Sequence, residues 1–239
     1  MGLPMWSISI FLIIALSSIA NCDEDEDPVL YYYGLEESER GLSPCNAHQA
    51  CSALLLRYWR APALVRLCRC ARRQRCDTRA DPTQLVEINN RAFFQFCTPI
   101  TKWTECSASD TALVVETRYE RMNPDELEEM HHKNVQLTPP KVTLNCRCRY
   151  PNYWRLNSSL DTLHTYRCGY MPPCRSGEYC GNVNYDLNAL YQSCLCPRNH
   201  MCVHSGGITH YYMSELLYHG KGWKAYCQPI NDDYIYDEY

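Results

Sequence analysis

The alternation of apolar and polar residues along the chain predicts two β-hairpins. In the first, the β-rich runs "TQLVEI" (83–88) and "RAFFQF" (91–96) flank Asn89 and Asn90. An Asn-Asn pair tolerates the left-handed backbone conformations of a tight hairpin turn. The second is predicted from "HYYMSELLY" (210–218), the turn "HGKG" (219–222) and "WKAYC" (223–227). Each region therefore forms a short hairpin with irregular flanking loops.

The segment between these hairpins has two further strand candidates and one helix. The strand candidates are "ALVVETRY" (112–119) and "KVTLNCRC" (141–148). Between them "NPDELEEMHH" predicts a helix with Asn123 as N-cap, acidic residues in the first turn and His131 and His132 in the last. Adjacent histidines point to different sides of a helix, so their place at its C-terminus explains them better than a metal site does.

The N-terminus is typical of a secretory signal peptide. Residues Trp6 to Ala20 are apolar and are followed closely by the acidic run "DEDED". Small residues permit cleavage after Ala20 or after Cys22, and the segment 1–22 is assigned to the signal peptide. No later stretch is apolar and long enough to span a bilayer, which predicts a soluble, secreted, extracellular product.

The chain contains 17 cysteines, of which 16 follow residue 22. An even number in an oxidising compartment predicts eight disulfides. Structural zinc is the competing interpretation, but zinc ligands are usually spaced C-x₂₋₄-C, and "CRC" and "CLC" fit that spacing poorly. The predicted disulfide cysteines are Cys45, Cys51, Cys68, Cys70, Cys76, Cys97, Cys106, Cys146, Cys148, Cys168, Cys174, Cys180, Cys194, Cys196, Cys202 and Cys227.

The cysteine spacing repeats along the chain. From Cys45 it reads C-x5-C-x16-C-x-C-x5-C-x20-C, and from Cys174 it reads C-x5-C-x13-C-x-C-x5-C-x24-C. Both copies end in Cys-x-Pro-Ile. Four cysteines between them suggest a degenerate middle copy that lacks a cysteine five residues after its C-x-C. Modules of this size bury too little surface to be stable without disulfides.

These patterns predict a small disulfide-rich fold of short β-hairpins and irregular loops, with little helix. The predicted segments are a signal peptide (1–22), an acidic disordered segment or propeptide (23–43), module 1 (44–106), a linker with the degenerate middle module (107–168), module 2 (169–230) and an acidic, tyrosine-containing tail (231–239).

Charge is segregated along the chain. The whole sequence has a formal charge of −4, but residues 44–230 carry 22 Lys and Arg against 15 Asp and Glu. Eight arginines lie between positions 57 and 79, and such a cluster attracts acidic receptor faces, sulfated glycans or the mouth of a cation channel, unless the acidic termini neutralise it. The candidate partner-binding residues are Arg57, Trp59, Arg60, Arg69, Arg72, Arg73 and Arg75. Export and the lack of a recognition helix argue against nucleic acid as a partner.

The acidic segments suggest covalent modification. Candidates for tyrosine sulfation, set against unmodified termini, are Tyr31, Tyr32, Tyr33, Tyr234, Tyr236 and Tyr239. The chain has one glycosylation sequon, at Asn157. No GxSxG, HExxH or phosphate-loop motif is present, and no histidine is spaced to activate a nucleophile, so we expect neither an enzyme nor a cofactor.

The segment "CLCPRNHMC", followed later by "YC", resembles the C-x-C-P-x₄-C ending of colipase-like and prokineticin-like modules, including the C-terminal part of Dickkopf proteins. The whole layout is similar to the eleventh scoloptoxin family of centipede venoms. This resemblance implies tandem colipase-like β-finger modules and a toxin-like binding protein that acts on an extracellular receptor or ion channel, for example a voltage-gated potassium channel. The alternatives are an endogenous signalling ligand or antagonist, or an extracellular matrix protein.

Overall fold

The structure, a computed structural model, describes residues 27–33, 35, 37–57, 60–76, 81–89, 92–117, 124–149, 152–160, 162–184, 190–204, 210–215 and 218–230. The sixteen predicted cysteines form eight disulfides, which confirms the disulfide-rich, mainly β fold. The predicted signal peptide (1–22) and the predicted acidic tail (231–239) lie outside the described residues.

Modules 1 and 2 have the same disulfide connectivity. In each, the first cysteine pairs with the third, the second with the fifth and the fourth with the sixth. The pairs are Cys45–Cys68, Cys51–Cys76 and Cys70–Cys97 in module 1, and Cys174–Cys194, Cys180–Cys202 and Cys196–Cys227 in module 2.

The middle module keeps two of these three bonds. Cys106–Cys146 corresponds to the first–third pair, and Cys148–Cys168 corresponds to the fourth–sixth pair. The boundary predicted at 106/107 separates Cys106 from its disulfide partner Cys146. This disulfide places Cys106 in the middle module, so the boundary belongs before Cys106. Sequence spacing alone could not show this, since a cysteine between two modules can pair in either direction.

A backbone contact recurs in all three modules. The amide of the first cysteine donates a hydrogen bond to the carbonyl of the residue between the third and fourth cysteines. These bonds join Cys45 N to Arg69 O (2.9 Å), Cys106 N to Arg147 O (3.0 Å) and Cys174 N to Leu195 O (2.7 Å). The middle module is therefore built on the same frame as its neighbours.

Each module carries one sheet. The strands of module 1 are β1 (Val29–Tyr32), β2 (Ala50–Leu55), β3 (Ala63–Arg66), β4 (Leu85–Asn89) and β5 (Ala92–Phe96). Those of the middle module are β6 (Thr111–Glu116), β7 (Lys141–Leu144), β8 (Asn152–Leu160) and β9 (Leu163–Tyr170). Those of module 2 are β10 (Tyr179–Asn184), β11 (Leu190–Gln192), β12 (His200–His204), β13 (Tyr211–Glu215) and β14 (Tyr218–Pro229).

The three sheets share one strand order. Module 1 is arranged β1-β3-β2-β5-β4, the middle module β7-β6-β9-β8, and module 2 β11-β10-β14-β12, with β13 also paired to β14. Apart from β1, which pairs with β3 in parallel, the named strand pairs are antiparallel. Helix α1 (Pro124–His132) and the short 3₁₀ helices Glu39–Gly41 and Pro82–Gln84 complete the described elements.

Most of the predicted elements are present. Strands β4 and β5 pair as the first hairpin, β6 and β7 overlap the two strand candidates, and α1 is the predicted helix. Asn90 and Asn123 lie outside the described residues. No helix in the described part of the chain has the length and apolar character needed to cross a membrane.

The turn of the second hairpin is not where the sequence predicted it. Glu215 pairs with Tyr218, so the antiparallel pairing of β13 and β14 extends to these two residues, and Gly220 and Gly222 lie within β14. A Cβ on Gly222 would clash with the side chain of Met213 and the carbonyl of Val183. Glycine is therefore needed here for close strand packing, and the prediction of a turn at "HGKG" is wrong for that reason.

The acidic segment 23–43 is partly ordered, contrary to the expectation of disorder. Strand β1 pairs with the edge of β3, and Tyr33 is 2% exposed. The amide of Leu137 donates to the carbonyl of Tyr33 over 3.0 Å. An open strand edge and an apolar contact together offset the entropy of ordering this part of the segment.

A buried arginine fixes the same segment to module 1. Arg66 is 2% exposed, donates to the carbonyl of Cys76, and forms an ion pair with Glu39. A buried guanidinium needs such a partner, because taking an unpaired charge out of water is costly. Glu39 thus has a structural role, which its position among other acidic residues of the sequence does not reveal.

Module 1 and the middle module share one apolar core. Phe94 of β5 belongs to the same buried cluster as Val115 of β6 and Val142 of β7. The two sheets are also joined through the backbone, since the amide of Leu144 donates to the carbonyl of His48 (3.0 Å). These two modules therefore stabilise each other by burial as well as by disulfides.

Module 2 has a separate core built largely from sulfur. Its buried cluster consists of four half-cystines with Val183 and Ala225. Such a small apolar cluster supplies little stabilisation, so the three disulfides of this module carry much of its stability.

Candidate functional site

A cavity of about 1040 Å³ lies where the three modules meet. Its walls come from β4 of module 1, β8 of the middle module, and β11 with the end of β13 of module 2. This volume is at the upper end of the range for small-molecule sites, and it is large enough to accept side chains of a polypeptide.

The walls are mainly apolar and aromatic. Module 1 contributes Leu85 and Ile88, the middle module contributes Tyr153 and Trp154, and module 2 contributes Tyr191. Aromatic side chains with polar tips are the residues that most often dominate the energetics of binding surfaces. All three modules therefore supply groups suited to contact a partner.

A glycine sets the position of Tyr191. A Cβ on Gly181 of β10 would clash with the carbonyl of Tyr191. The absence of a side chain lets β10 and β11 approach closely, which holds Tyr191 against the cavity.

Trp154 occupies the place of the missing fifth cysteine in the middle module. It follows Cys148 by six positions, as Cys202 follows Cys196 in module 2. It also pairs with Cys168 across the sheet, just as Cys202 pairs with Cys227. Trp154 and the fifth cysteine of module 2 are thus equivalent by both spacing and strand register.

Ala112 occupies the place of the missing second cysteine. In each module this position lies at a register shift between two strands, namely between Ala50 and Ser52, between Thr111 and Leu113, and between Tyr179 and Gly181. In all three modules the carbonyl at this position accepts a hydrogen bond from the backbone amide of the residue before the third cysteine. The fully buried Ala112 therefore takes the place that Cys51 has in module 1.

Replacement of this disulfide has a consequence for the cavity. Trp154 packs against the cluster that contains Ala112, and its Nε1 donates to the carbonyl of Glu87 in module 1 over 2.9 Å. One side chain therefore fills the space of a disulfide, joins two modules and forms part of the cavity wall.

One side of the cavity carries paired charges. Glu105 accepts a hydrogen bond from Arg149 (3.3 Å) and lies 3.9 Å from Arg147. Arg147 also donates to the carbonyl of Trp103 (3.0 Å), and Arg155 donates to the carbonyl of Tyr170 (3.0 Å). These contacts hold the charged groups around the apolar walls in defined positions.

Glu215 marks the side formed by module 2. It accepts from the amide of Asn182 (2.9 Å), and Asn182 in turn accepts from the hydroxyls of Tyr179 (2.7 Å) and Tyr211. Burial raises the pKa of the Glu215 carboxyl, and the Asn182 hydrogen bond opposes that rise. Burial also raises the pKa of Tyr179 to about 12, with smaller contributions from Tyr211 and Glu215.

The described members of the predicted arginine cluster do not line the cavity, and they have different environments. Arg57 donates to the carbonyl of Ala61 (2.8 Å) and lies over the ring of Tyr31 at 5.5 Å. Arg60 forms an ion pair with Asp125 (2.9 Å). Arg69, Arg72, Arg73 and Arg75 are exposed and have no ion pair among the described residues, whereas Trp59 lies outside the described residues.

The predicted modification sites differ in accessibility. Tyr31 and Tyr32 are half-buried, and the burial of Tyr33 does not fit its predicted sulfation in the folded protein. Tyr234, Tyr236 and Tyr239 lie outside the described residues. Asn157 is exposed on the edge strand β8, at a register shift between Leu156 and Ser158, and stays a predicted glycosylation site.

Sequence reasoning missed the cavity residues, although one signal was present. An alignment of the middle module on its C-x-C places Trp154 at the fifth cysteine position. A large aromatic residue at a position that is cysteine in both other copies marks a change of role. Tyr191 and Glu215 carry no such signal, because only the assembly of three modules brings them together.

Comparisons with known proteins provide one structural relative. No protein-family model matches the chain, and no curated protein matches it significantly. The crystal structure of unliganded Argos resembles it with a TM-score of 0.51 and 20% sequence identity, over 86% of this chain and 100% of that chain. At this level of identity the likeness concerns the fold, and it extends over nearly the whole three-module arrangement.

Proposed function

We propose that this protein is a secreted, non-enzymatic binding protein that holds an extracellular polypeptide in the cavity between its three modules and antagonises the signal that the polypeptide carries. The observation that carries this proposal is the cavity itself. A site built from three modules contacts a partner from several directions, and its aromatic walls with fixed charges are suited to polypeptide side chains.

Two further observations support an extracellular binding role. Eight disulfides are typical of proteins that mature in an oxidising compartment. The structural relative is the unliganded form of Argos, a wording that implies a ligand for that protein. This supports a ligand-binding use of the shared fold. The second observation favours an endogenous ligand-binding protein over a structural protein of the matrix.

The cavity chemistry favours binding over catalysis. No histidine is among the described residues that line it, so Ser193 has no imidazole base there. Glu105 is paired with arginines, and Glu215 accepts from Asn182. These contacts occupy the carboxylates of Glu105 and Glu215, and the third carboxylate of the described lining residues, Glu87, is exposed. Catalysis needs a convergent set of groups, and the described lining offers neither two unpaired carboxylates nor a carboxylate with an imidazole.

Channel modulation by the arginine cluster has less support. Arg57 donates to the carbonyl of Ala61, and the exposed Arg60 is paired with Asp125, so these two candidates already have partners within the protein. Arg69, Arg72, Arg73 and Arg75 form a smaller exposed surface than the predicted cluster, and its binding partner is considered below.

Two leucines on β8 provide a test with a matched control. Leu156 is 49% exposed and lines the cavity, whereas Leu160 is 67% exposed and does not line it. Native protein, Leu156→Asp and Leu160→Asp are immobilised and exposed to extracellular fluid from the tissue that secretes the protein. Captured polypeptides are identified, and their purified forms are titrated against all three proteins.

We expect a polypeptide that binds native protein and Leu160→Asp equally. Leu156→Asp should weaken its binding at least about tenfold, the loss expected for a charge placed against an apolar contact. Equal binding to all three proteins, or no binding to native protein, would contradict the cavity as the binding site.

A further inference from the structure

Four exposed arginines of module 1 form a compact surface that we call the arginine loop: Arg69, Arg72, Arg73 and Arg75. The loop lies between the half-cystines Cys68 and Cys76. Three disulfides, Cys45–Cys68, Cys70–Cys97 and Cys51–Cys76, fix its two ends and its third residue. The backbone that carries these charges is therefore restrained before any partner binds.

The described residues around the arginine loop do not neutralise it. No carboxylate of the described residues lies within ion-pair distance of its four guanidinium groups. By contrast, Arg60 and Arg66 of the same sequence cluster pair with Asp125 and Glu39. The fold thus pairs Arg60 and Arg66 with carboxylates, whereas the four arginines of the loop are exposed without such a pair among the described residues.

The loop carries cations without apolar anchors. Only Cys70, Ala71 and Gln74 stand between its arginines. Protein interfaces draw most of their energy from buried aromatic and aliphatic side chains, which this surface lacks. A flexible polyanion needs no such anchor, because its affinity comes largely from paired charges and from the release of counterions.

We propose that the arginine loop binds sulfated glycan chains. The planar guanidinium group donates two parallel hydrogen bonds to a tetrahedral oxyanion, and closely spaced arginines match the repeated sulfates of one chain. The disulfides reduce the entropy lost on binding, because they restrain the loop in advance. A chain bound here retains the secreted protein at the cell surface or in the matrix.

Glycan binding is separate from the proposed cavity function. None of the four arginines lines the cavity between the modules. Glycan binding at the arginine loop therefore leaves the cavity open, so the protein can bind a polypeptide while it is held by a glycan.

The test uses immobilised heparin as the probe and two variants with equal loss of charge. The loop variant is Arg72→Ser, Arg73→Asn, Arg75→Ser. Asparagine is chosen at Arg73 because that residue has φ 73°, a left-handed conformation that asparagine tolerates. The control variant, Arg167→Ser, Arg175→Ser, Arg198→Ser, removes three exposed arginines from other parts of the surface.

Native protein and the control variant should bind heparin at physiological ionic strength. The loop variant should bind about tenfold or more weakly, and its slope of log affinity against log salt concentration should fall by about two to three, since each lost contact releases close to one ion fewer. Disulfide mapping of each variant checks that the loop variant is folded.

Three outcomes would overturn the proposal. Native protein that passes a heparin column at physiological ionic strength has no such site. Equal weakening in both variants would mean that affinity follows net charge and not the arginine loop. Binding to vesicles of phosphatidylserine and phosphatidylcholine that is as strong as binding to heparin, with the same loss in the loop variant, would assign the surface to anionic membranes.

Discussion

The equivalence of Ala112 and Trp154 to a lost disulfide predicts that the bond can be restored. In Ala112→Cys/Trp154→Cys the new cysteines would stand at the second and fifth positions of the middle module. The corresponding pairs, Cys51–Cys76 and Cys180–Cys202, have Cα–Cα distances of 6.1 and 5.9 Å. We expect a ninth disulfide to form in the folded protein.

The energetic effect can be worked from the structure. The new bond would link positions 112 and 154. The existing Cys106–Cys146 disulfide already shortens the chain path between them to about 15 residues, and the chain-entropy relation gives about 3 kcal/mol for a loop of that length. Removal of the half-buried Trp154 costs about 2 kcal/mol, roughly half the value for a fully buried aromatic side chain. The lost hydrogen bond to Glu87 costs about 1 kcal/mol more. The net free energy of unfolding should therefore be nearly unchanged.

Ala112→Ser/Trp154→Ser is the matched control, because serine has nearly the shape of cysteine and cannot form the bond. The control should be less stable than the double cysteine variant by about 3 kcal/mol, the contribution of the cross-link. Denaturant unfolding without reductant measures the difference, and peptide mapping identifies a cross-link between positions 112 and 154. Two free thiols in the folded variant, or exchange with native disulfides, would refute the equivalence on which the reasoning rests.

Two further predictions concern buried ionisable groups. Because burial raises the pKa of Glu215 above its usual value of about 4.5, the unfolded chain releases that proton first, so stability falls as pH rises from about 4.5 through the folded-state pKa. Glu215→Gln should remove this component from the pH dependence of the unfolding free energy, and identical profiles for the two proteins would contradict it. Arg66→Met should lower the unfolding free energy by about 3 kcal/mol, since it strands the buried carbonyl of Cys76 and the carboxylate of Glu39. Arg69→Met, which alters an exposed arginine, should change stability by less than about 0.5 kcal/mol, and equal losses in thermal unfolding would show that burial of Arg66 does not matter.

Cysteine spacing made much of the fold predictable. Two intervals that agree to the residue, C-x5-C and C-x-C-x5-C, indicate repeated modules without any knowledge of tertiary contacts. Local alternation also located the β4–β5 hairpin and helix α1. Strand β8 was missed because nearly all of its residues are exposed, so the run "NYWRLNSSL" shows no apolar face.

Connectivity could not be read from spacing. The pairing of Cys106 with Cys146 depends on which strands come together, and sequence analysis placed Cys106 in the wrong module. The sequence also did not show that residues 29–32 form strand β1 or that Tyr33 is buried. Both depend on the open edge of β3, which is distant in sequence.

The sequence by itself determined the compartment expected for the protein, the number of disulfides and the modular repeat, because these follow from residue types and local intervals. Only the tertiary structure decided which arginines remain exposed and which are neutralised, since ion pairs such as Arg60–Asp125 join residues far apart in the chain. It also created the cavity, because Ile88, Trp154 and Tyr191 come from three modules whose contact depends on side-chain packing between them. Local patterns specify each module, whereas the site between modules exists only through long-range contacts.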